Sequence, residues 1–203
     1  MDFKNMNKST IGIIVALVLV FFWGCSSYNG LVDKDESANQ AWSDVEASYQ
    51  RRADLIDNLV NTVKGYTKHE SETLKEVTEM RSHAPKITLN AEDLTEENLK
   101  KFQEAQEQWK PEYESALSRL IAVSEAYPDL KSAELFKTLQ AQIEGTENRI
   151  NEARKKFNSS VKEYNVSVRR FPNNILAGMF GFDQRASFKA DEGAEKAPKV
   201  SFD

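Results

Sequence analysis

Cysteine occurs once in these 203 residues, histidine twice, proline five times and glycine eight times. A lone cysteine, Cys25, excludes an internal disulfide, so stability must come from packing. His69 and His83 are too few to converge on a metal, and neither an HExxH sequence nor a pair of helical Glu-x-x-His sequences occurs. A Gly-x-Ser-x-Gly elbow and a glycine-rich phosphate loop are absent as well. The chain is therefore expected to be non-enzymatic and to need no cofactor and no metal. Positive charge is also limited: 27 Lys and Arg stand against 32 Asp and Glu, for a net charge of −5. That balance argues against nucleic acid as a partner held by charge. No proline precedes Pro85, and glycine is sparse. The punctuation of a turn-rich β protein is missing, and the 29% of charged residues suits helices with solvated outer faces.

One long apolar run stands out, Ile11 to Cys25, reading IGIIVALVLVFFWGC. As a helix it reaches about 22 Å, and Ser9, Thr10, Ser26, Ser27 and Tyr28 extend it into both interfaces of a bilayer. Trp23 and Tyr28 suit the headgroup level, and Lys4 and Lys8 favour a cytoplasmic N-terminus. The expected organisation is a cytoplasmic stretch 1–10, a transmembrane anchor 11–28, an extracytoplasmic helical bundle 29–190 and a mobile tail 191–203. This describes a single-pass protein of the cytoplasmic (inner) membrane. A secretory signal peptide shares this layout. Gly24-Cys25 meets part of a lipoprotein signal, which makes Cys25 a candidate for lipidation, although Phe22 and Trp23 do not match its preferred residues. An uncleaved anchor is the adopted reading.

Beyond the run, apolar residues recur at steps of three and four: Trp42, Val45, Tyr49, Ile56, Leu59, Val60, Val63, Leu74 and Val77. This is one face of a helix. It predicts a single helix from about Val32 to Ser82, with Gly65 a weak point and Ala84-Pro85 its end. Thr95 opens a second helix reaching about Ala126, with Tyr113, Ala116, Leu117, Leu120, Val123 and Tyr127 inward and Pro111 a kink or first turn. A third helix is expected from about Asp129 to Arg170. Its seam is Ile143, Ile150, Phe157, Tyr164 and Phe171 at seven-residue spacing. After Phe171-Pro172 the apolar residues Ile175, Leu176, Met179, Phe180, Phe182 and Phe188 predict a short docked helix. The fold class is all-α: a transmembrane helix followed by an up-and-down antiparallel bundle of three long helices plus a short C-terminal segment.

Several polar residues fall on or beside the inward stripes. Arg52, Glu70 and Arg81 lie close to the line through Ile56 and Leu74, while Glu147 and Arg154 flank the third seam and Glu125 the second. A buried charge without a partner is prohibitive, so Arg52 or Arg81 is expected to pair with Glu125 or Glu147 in a structural network. The other reading is a polar groove that binds something. Asn151, Asn158 and Asn165 also repeat every seven residues, about 90° from the Phe157 seam. They could form a ladder of hydrogen bonds to a neighbouring helix or partner chain.

These blocks resemble the LemA family. The matching stretches are Tyr28-Asn29-Gly30-Leu31-Val32, Ala41-Trp42, Arg51-Arg52-Ala53-Asp54-Leu55-Ile56, Asn58-Leu59-Val60, Val63-Lys64-Gly65-Tyr66 and His69-Glu70. They continue with Glu125-Ala126-Tyr127-Pro128-Asp129-Leu130-Lys131, Glu147-Asn148-Arg149-Ile150, Ala153-Arg154, Tyr164-Asn165, Phe171-Pro172 and Phe180-Gly181-Phe182. Two departures stand out: Asp57 occupies a position where the family pattern usually has proline, which points to a straighter first helix, and Cys25 is not required by the pattern. The resemblance implies a single-pass membrane protein with a helical extracytoplasmic domain and no agreed biochemical activity. Some relatives are associated with envelope stress or membrane-protein quality control, and others with organising membrane compartments.

The resulting expectation is a non-enzymatic, membrane-anchored scaffold or adaptor of the cell envelope, for which the resemblance implies membrane-protein quality control as the favoured process and membrane organisation as the other. Its partners would be the membrane and envelope proteins, with Phe180 and Phe182 a candidate partner surface and a homo-oligomer compatible. The alternative is an extracytoplasmic receptor that holds a small ligand or metal with the polar interior of Arg52, Glu70, Glu125 and Glu147. A closed ion-pair network would favour the scaffold, and an open cavity lined by these groups the receptor.

Overall fold

A computed structural model describes residues 7–67, 71–85, 89 and 94–189. Every regular element among them is a helix: α1 (Lys8–Tyr66), α2 (Ser71–Ser82), α3 (Glu96–Ala126), α4 (Pro128–Ser132), α5 (Glu134–Glu144), α6 (Thr146–Arg169) and α7 (Asn173–Phe180). The sequence-expected tail 191–203 and the first six residues lie outside the described ones.

The apolar run and the first column of the bundle are one helix. α1 has 59 residues, a length of roughly 88 Å. Its early part contains an 18-residue stretch of mean hydropathy 2.2, none of it buried inside the protein. Burial begins at Leu31 and continues through Ala38, Trp42, Val45, Tyr49, Ile56, Leu59 and Val63, the stripe read from the sequence. Asp57 lies within this helix without interrupting it. A proline there would have lacked the N–H that closes the helical turn.

The first helix is shorter than the pattern alone suggests. α1 stops at Tyr66, where Gly65 lowers helical propensity and Thr67 turns to an extended conformation (φ −118°, ψ 129°). α2 then folds back, as shown by Arg81 of α2 meeting Asp57 of α1 at 2.9 Å. The return places Leu74, Val77 and Met80 in the same apolar cluster as Leu59, Val60 and Val63. A straight continuation would have carried them past the end of the bundle.

α3 starts where expected: the Thr95 hydroxyl accepts from the Asn98 N–H at 3.2 Å, and Glu96 and Glu97 complement the helix dipole. The helix runs through Pro111 to Ala126. The expected third helix is divided into α4, α5 and α6, with Ala133 extended and Gly145 at the second joint. Leu130 and Phe136 explain the division. Six positions apart on one helix they would point about 120° apart, yet both are buried in the upper core. The break turns both inward. α6 then descends antiparallel to α1, with the Lys156 ammonium donating to Asp44 at 2.6 Å and Arg52 pairing with Glu147.

The interior has three levels. The upper cluster joins α1, α2, α3, Leu130 and α5. The middle one holds Trp42, Tyr49, Phe102, Phe157 and Phe188. The lowest joins Leu31, Tyr164, Val168 and Ala177, with Phe182 packed against it. Side chains as large as Trp42 and Phe157, both almost fully enclosed, contribute about 1.5–3 kcal/mol each. The seam of α6 is buried from Ile150 to Tyr164, whereas Phe171 is 77% exposed. The helix ends at Arg169, so Phe171 falls beyond the periodicity that would have turned it inward.

Candidate functional site

Two polar assemblies sit among these apolar levels. The first surrounds Arg52, which is 4% exposed at the boundary between the middle and upper clusters. Its Nη1 donates to Glu147 Oε1 at 2.8 Å and its Nη2 to Gln106 Oε1 at 2.7 Å. The rings of Tyr49, Trp109 and Tyr113 lie 5.1, 5.0 and 5.2 Å from the guanidinium carbon. A weakly hydrated, planar cation tolerates such walls, where a lysine ammonium would not. Burial raises the Tyr113 pKa above its ordinary value. The Tyr113 hydroxyl has no hydrogen bond of normal geometry among the described residues.

The other sequence-expected polar residues do not converge on this point. Arg81 pairs with Asp57 at the surface. Glu125 is exposed near the end of α3. Arg154 lies over the Phe188 ring at 4.6 Å. Glu70 lies outside the described residues. Among the described residues no group of three or more His, Cys, Asp or Glu is arranged to hold a metal ion.

The second assembly binds the chain's own C-terminal segment. After α7, Gly181 adopts a left-handed conformation (φ 75°), and the Phe182 N–H closes the turn on the Ala177 carbonyl at 2.9 Å. Residues 182–189 then form a strap that climbs α6. Asn165 donates to the Arg185 carbonyl at 2.8 Å and accepts from the Arg185 N–H at 2.9 Å. Asn158 does the same to Phe188, at 3.0 and 2.9 Å. Seven helical residues rise about 10.5 Å, which three strap residues can span only when nearly fully extended. The asparagine amides thus replace the missing strand neighbour. Two rungs of the asparagine ladder are formed, and their partner is this strap rather than a helix. Asn151 is exposed.

Side chains fix the strap's register. Arg185 reaches Asp35 at 2.9 Å, hydrogen-bonds to Asn39 and lies 5.5 Å from the centre of the Tyr164 ring. Burial, with the Asp35 charge acting in the same direction, pushes the Tyr164 pKa up to about 12. Phe188 enters the aromatic cluster, 5.6 Å from Phe157 and 6.1 Å from Trp42. Sequence reasoning found the asparagine period but not Gln106, Asp35, Asn39 or Arg185. Only the seven-residue asparagine repeat could have signalled a strap.

At the base, α7 packs against the start of the bundle column in α1. Ser27 donates to the Asn173 side chain at 3.0 Å, and the Tyr28 ring contacts Phe180 and Phe182 at 5.0 and 5.6 Å. Cys25, one turn below Tyr28, is a free and exposed thiol.

These features define a class: a helical bundle built around one helix that is apolar and uncovered at its first part and core-forming thereafter, with a charge-stabilised interior. Residues 41–202 match the model of the LemA family, and the chain belongs to that family. It is 27% identical over 187 residues to the magnetosome protein MamQ of Magnetospirillum gryphiswaldense, covering 86% of this chain and 68% of that one. It is 24% identical over 179 residues to protein LemA of Metamycoplasma hominis, covering 88% of this chain and 76% of that one.

Proposed function

We propose that the protein is a non-enzymatic scaffold of the cell envelope, anchored by residues 11–28, with its bundle on the extracytoplasmic side. The observation that carries this reading is the continuity of α1. The uncovered apolar stretch and the central column of the core belong to the same helix, so the bundle moves with the stretch as one body. The closed state of the polar interior supports it further. Arg52 is engaged by Glu147, Gln106 and three aromatic rings, an arrangement that serves helix register. The name of the MamQ relative, which places that protein with the magnetosome, accords with a role in organising a membrane compartment. Membrane-protein quality control is the other process compatible with a scaffold of this form.

The test has two arms. Carbonate-washed membranes should retain the full-length chain with Met1 intact by mass spectrometry, and protease added outside the cytoplasmic membrane should digest the bundle. Native extraction should then recover the chain in a particle of defined stoichiometry, larger than one copy, that is lost when residues 1–28 are removed. A soluble chain, or a single copy under gentle extraction, would refute the proposal.

A further inference from the structure

The base of the molecule presents an apolar surface that the bundle does not use. Phe171, Ile175, Met179 and Phe180 are 77, 54, 72 and 58% exposed, while the opposite side of α7 buries Ala177 and packs with Phe182 against Leu31, Tyr164 and Val168. Ile175 and Met179 are one helical turn apart on α7, Phe180 adjoins Met179, and Phe171 is exposed on the turn that leads into the helix. Its height is set by the Ser27–Asn173 hydrogen bond and the Tyr28–Phe180 contact. Ser27 is two residues, about 3 Å of helix rise, beyond the last residue of the apolar run. The exposed row is therefore continuous with the uncovered apolar surface of α1. The exposed Arg169 and Arg170 stand directly before Phe171, the disposition in which guanidinium groups meet lipid phosphates while neighbouring side chains enter the acyl boundary.

We propose that α7 is an interfacial foot whose Phe171–Ile175–Met179–Phe180 row lies in the headgroup–acyl boundary of the leaflet from which α1 emerges. The occupant of this surface is lipid, because the row adjoins the one helix among the described residues that is long and apolar enough to cross a bilayer. Two membrane contacts, one crossing and one lying in the interface, fix the tilt and rotation of the bundle; a lone helix would leave both free. The inference rests on the reading of residues 11–28 as a membrane anchor.

The experiment uses the full chain with Cys25→Ser in nanodiscs of phosphatidylcholine and phosphatidylglycerol. Spin labels are placed singly on cysteines at Val18, Ile175, Met179 and Lys162, all exposed positions. Relaxation by oxygen is compared with relaxation by a water-soluble nickel chelate. Val18, Ile175 and Met179 should favour oxygen by several-fold and Lys162 the chelate. Labels at Ile175 and Met179 that behave like Lys162, with Val18 still in lipid, would overturn the foot alone. A Val18 label in water would instead overturn the anchor beneath it. Dipolar broadening at Met179 that disappears on dilution with unlabelled protein would assign the row to a second copy and overturn the lipid contact. As an independent measure, Ile175→Glu with Met179→Glu should leave the helical circular dichroism unchanged. It should widen the distribution of distances from a label at Lys131, at the far end of the bundle, to headgroup acceptors. An unchanged distribution would contradict the foot.

Discussion

The Arg52 guanidinium lies 2.8 Å from the Glu147 carboxylate across 95 residues of sequence, tying the central column of α1 to the first turn of α6. The two ends of this bond are not equivalent. The Arg52 side chain is 5% exposed and that of Glu147 42%. Removing the arginine strands Gln106 and empties the space between three rings, while removing the carboxylate leaves a cation that its aromatic walls still stabilise. Arg52→Ala should cost about 3–5 kcal/mol. Glu147→Gln should cost less, about 1–2 kcal/mol. Urea unfolding of the detergent-solubilised chain, followed by circular dichroism, measures both. A loss below about 1 kcal/mol for Arg52→Ala would mean that the side chain is solvated.

The strap should come loose without the bundle unfolding. Asn165→Ala removes both backbone bonds to Arg185 and should expose the Arg185-Ala186 bond to trypsin, at an expected stability loss of about 1–3 kcal/mol. Phe188→Ala opens the aromatic cluster and should cost more, about 3–5 kcal/mol. Trypsin digestion timed against the helical signal distinguishes release of the strap from global unfolding. Equal cleavage rates in wild type and Asn165→Ala would refute the clamp.

Alkaline pH should weaken the lower core. The Tyr164 pKa is about 12 in the folded chain, above the value of about 10 expected when it is unfolded. A group whose folded pKa is raised contributes stability that is complete below the unfolded value and is lost as pH climbs through the folded one. Stability should therefore fall from about pH 10 upward, and Tyr113, raised by burial, adds to the same slope. Tyr164→Phe should flatten the fall, as read from urea midpoints across this range. Identical slopes in the two proteins would contradict the shift.

Asp57 separates a surface contact from a backbone requirement. Its pair with Arg81 has side chains 44 and 36% exposed, so Asp57→Ala should cost under about 1 kcal/mol. Asp57→Pro, the residue common in the family pattern, deletes a helical hydrogen bond amid buried Leu55, Ile56, Leu59 and Val60 and should cost about 3 kcal/mol. Thermal melts of the two variants should differ accordingly. Similar midpoints would show that α1 accommodates the kink.

Much of the helical pattern was legible because each buried stripe leaves its period in one stretch of chain. Trp42, Val45, Tyr49, Ile56, Leu59 and Val63 announce a face of α1, and Ile150, Phe157 and Tyr164 a face of α6. The same signal concealed the breaks. Leu74 and Val77 continue the α1 period, yet they reach the core because α2 runs back along α1, and a stripe does not record the direction of travel. Among the polar residues, Arg52 was conspicuous as a charge on an apolar face. Asp35, Asn39, Gln106 and Arg185 look like ordinary surface residues in sequence, because what distinguishes them is a partner between 54 and 150 positions away.

Composition and periodicity determined by themselves that the chain is helical, that one end is apolar enough to enter a membrane and that Arg52 would need a partner, because these follow from side-chain solvation and helix geometry within short windows. Tertiary structure alone decided that the partners are Glu147 and Gln106, that two asparagines hold an extended strap and that α7 lies level with Ser27 and Tyr28. Those outcomes depend on how far separated segments are brought to the same height, and height in a bundle is set by where its helices turn.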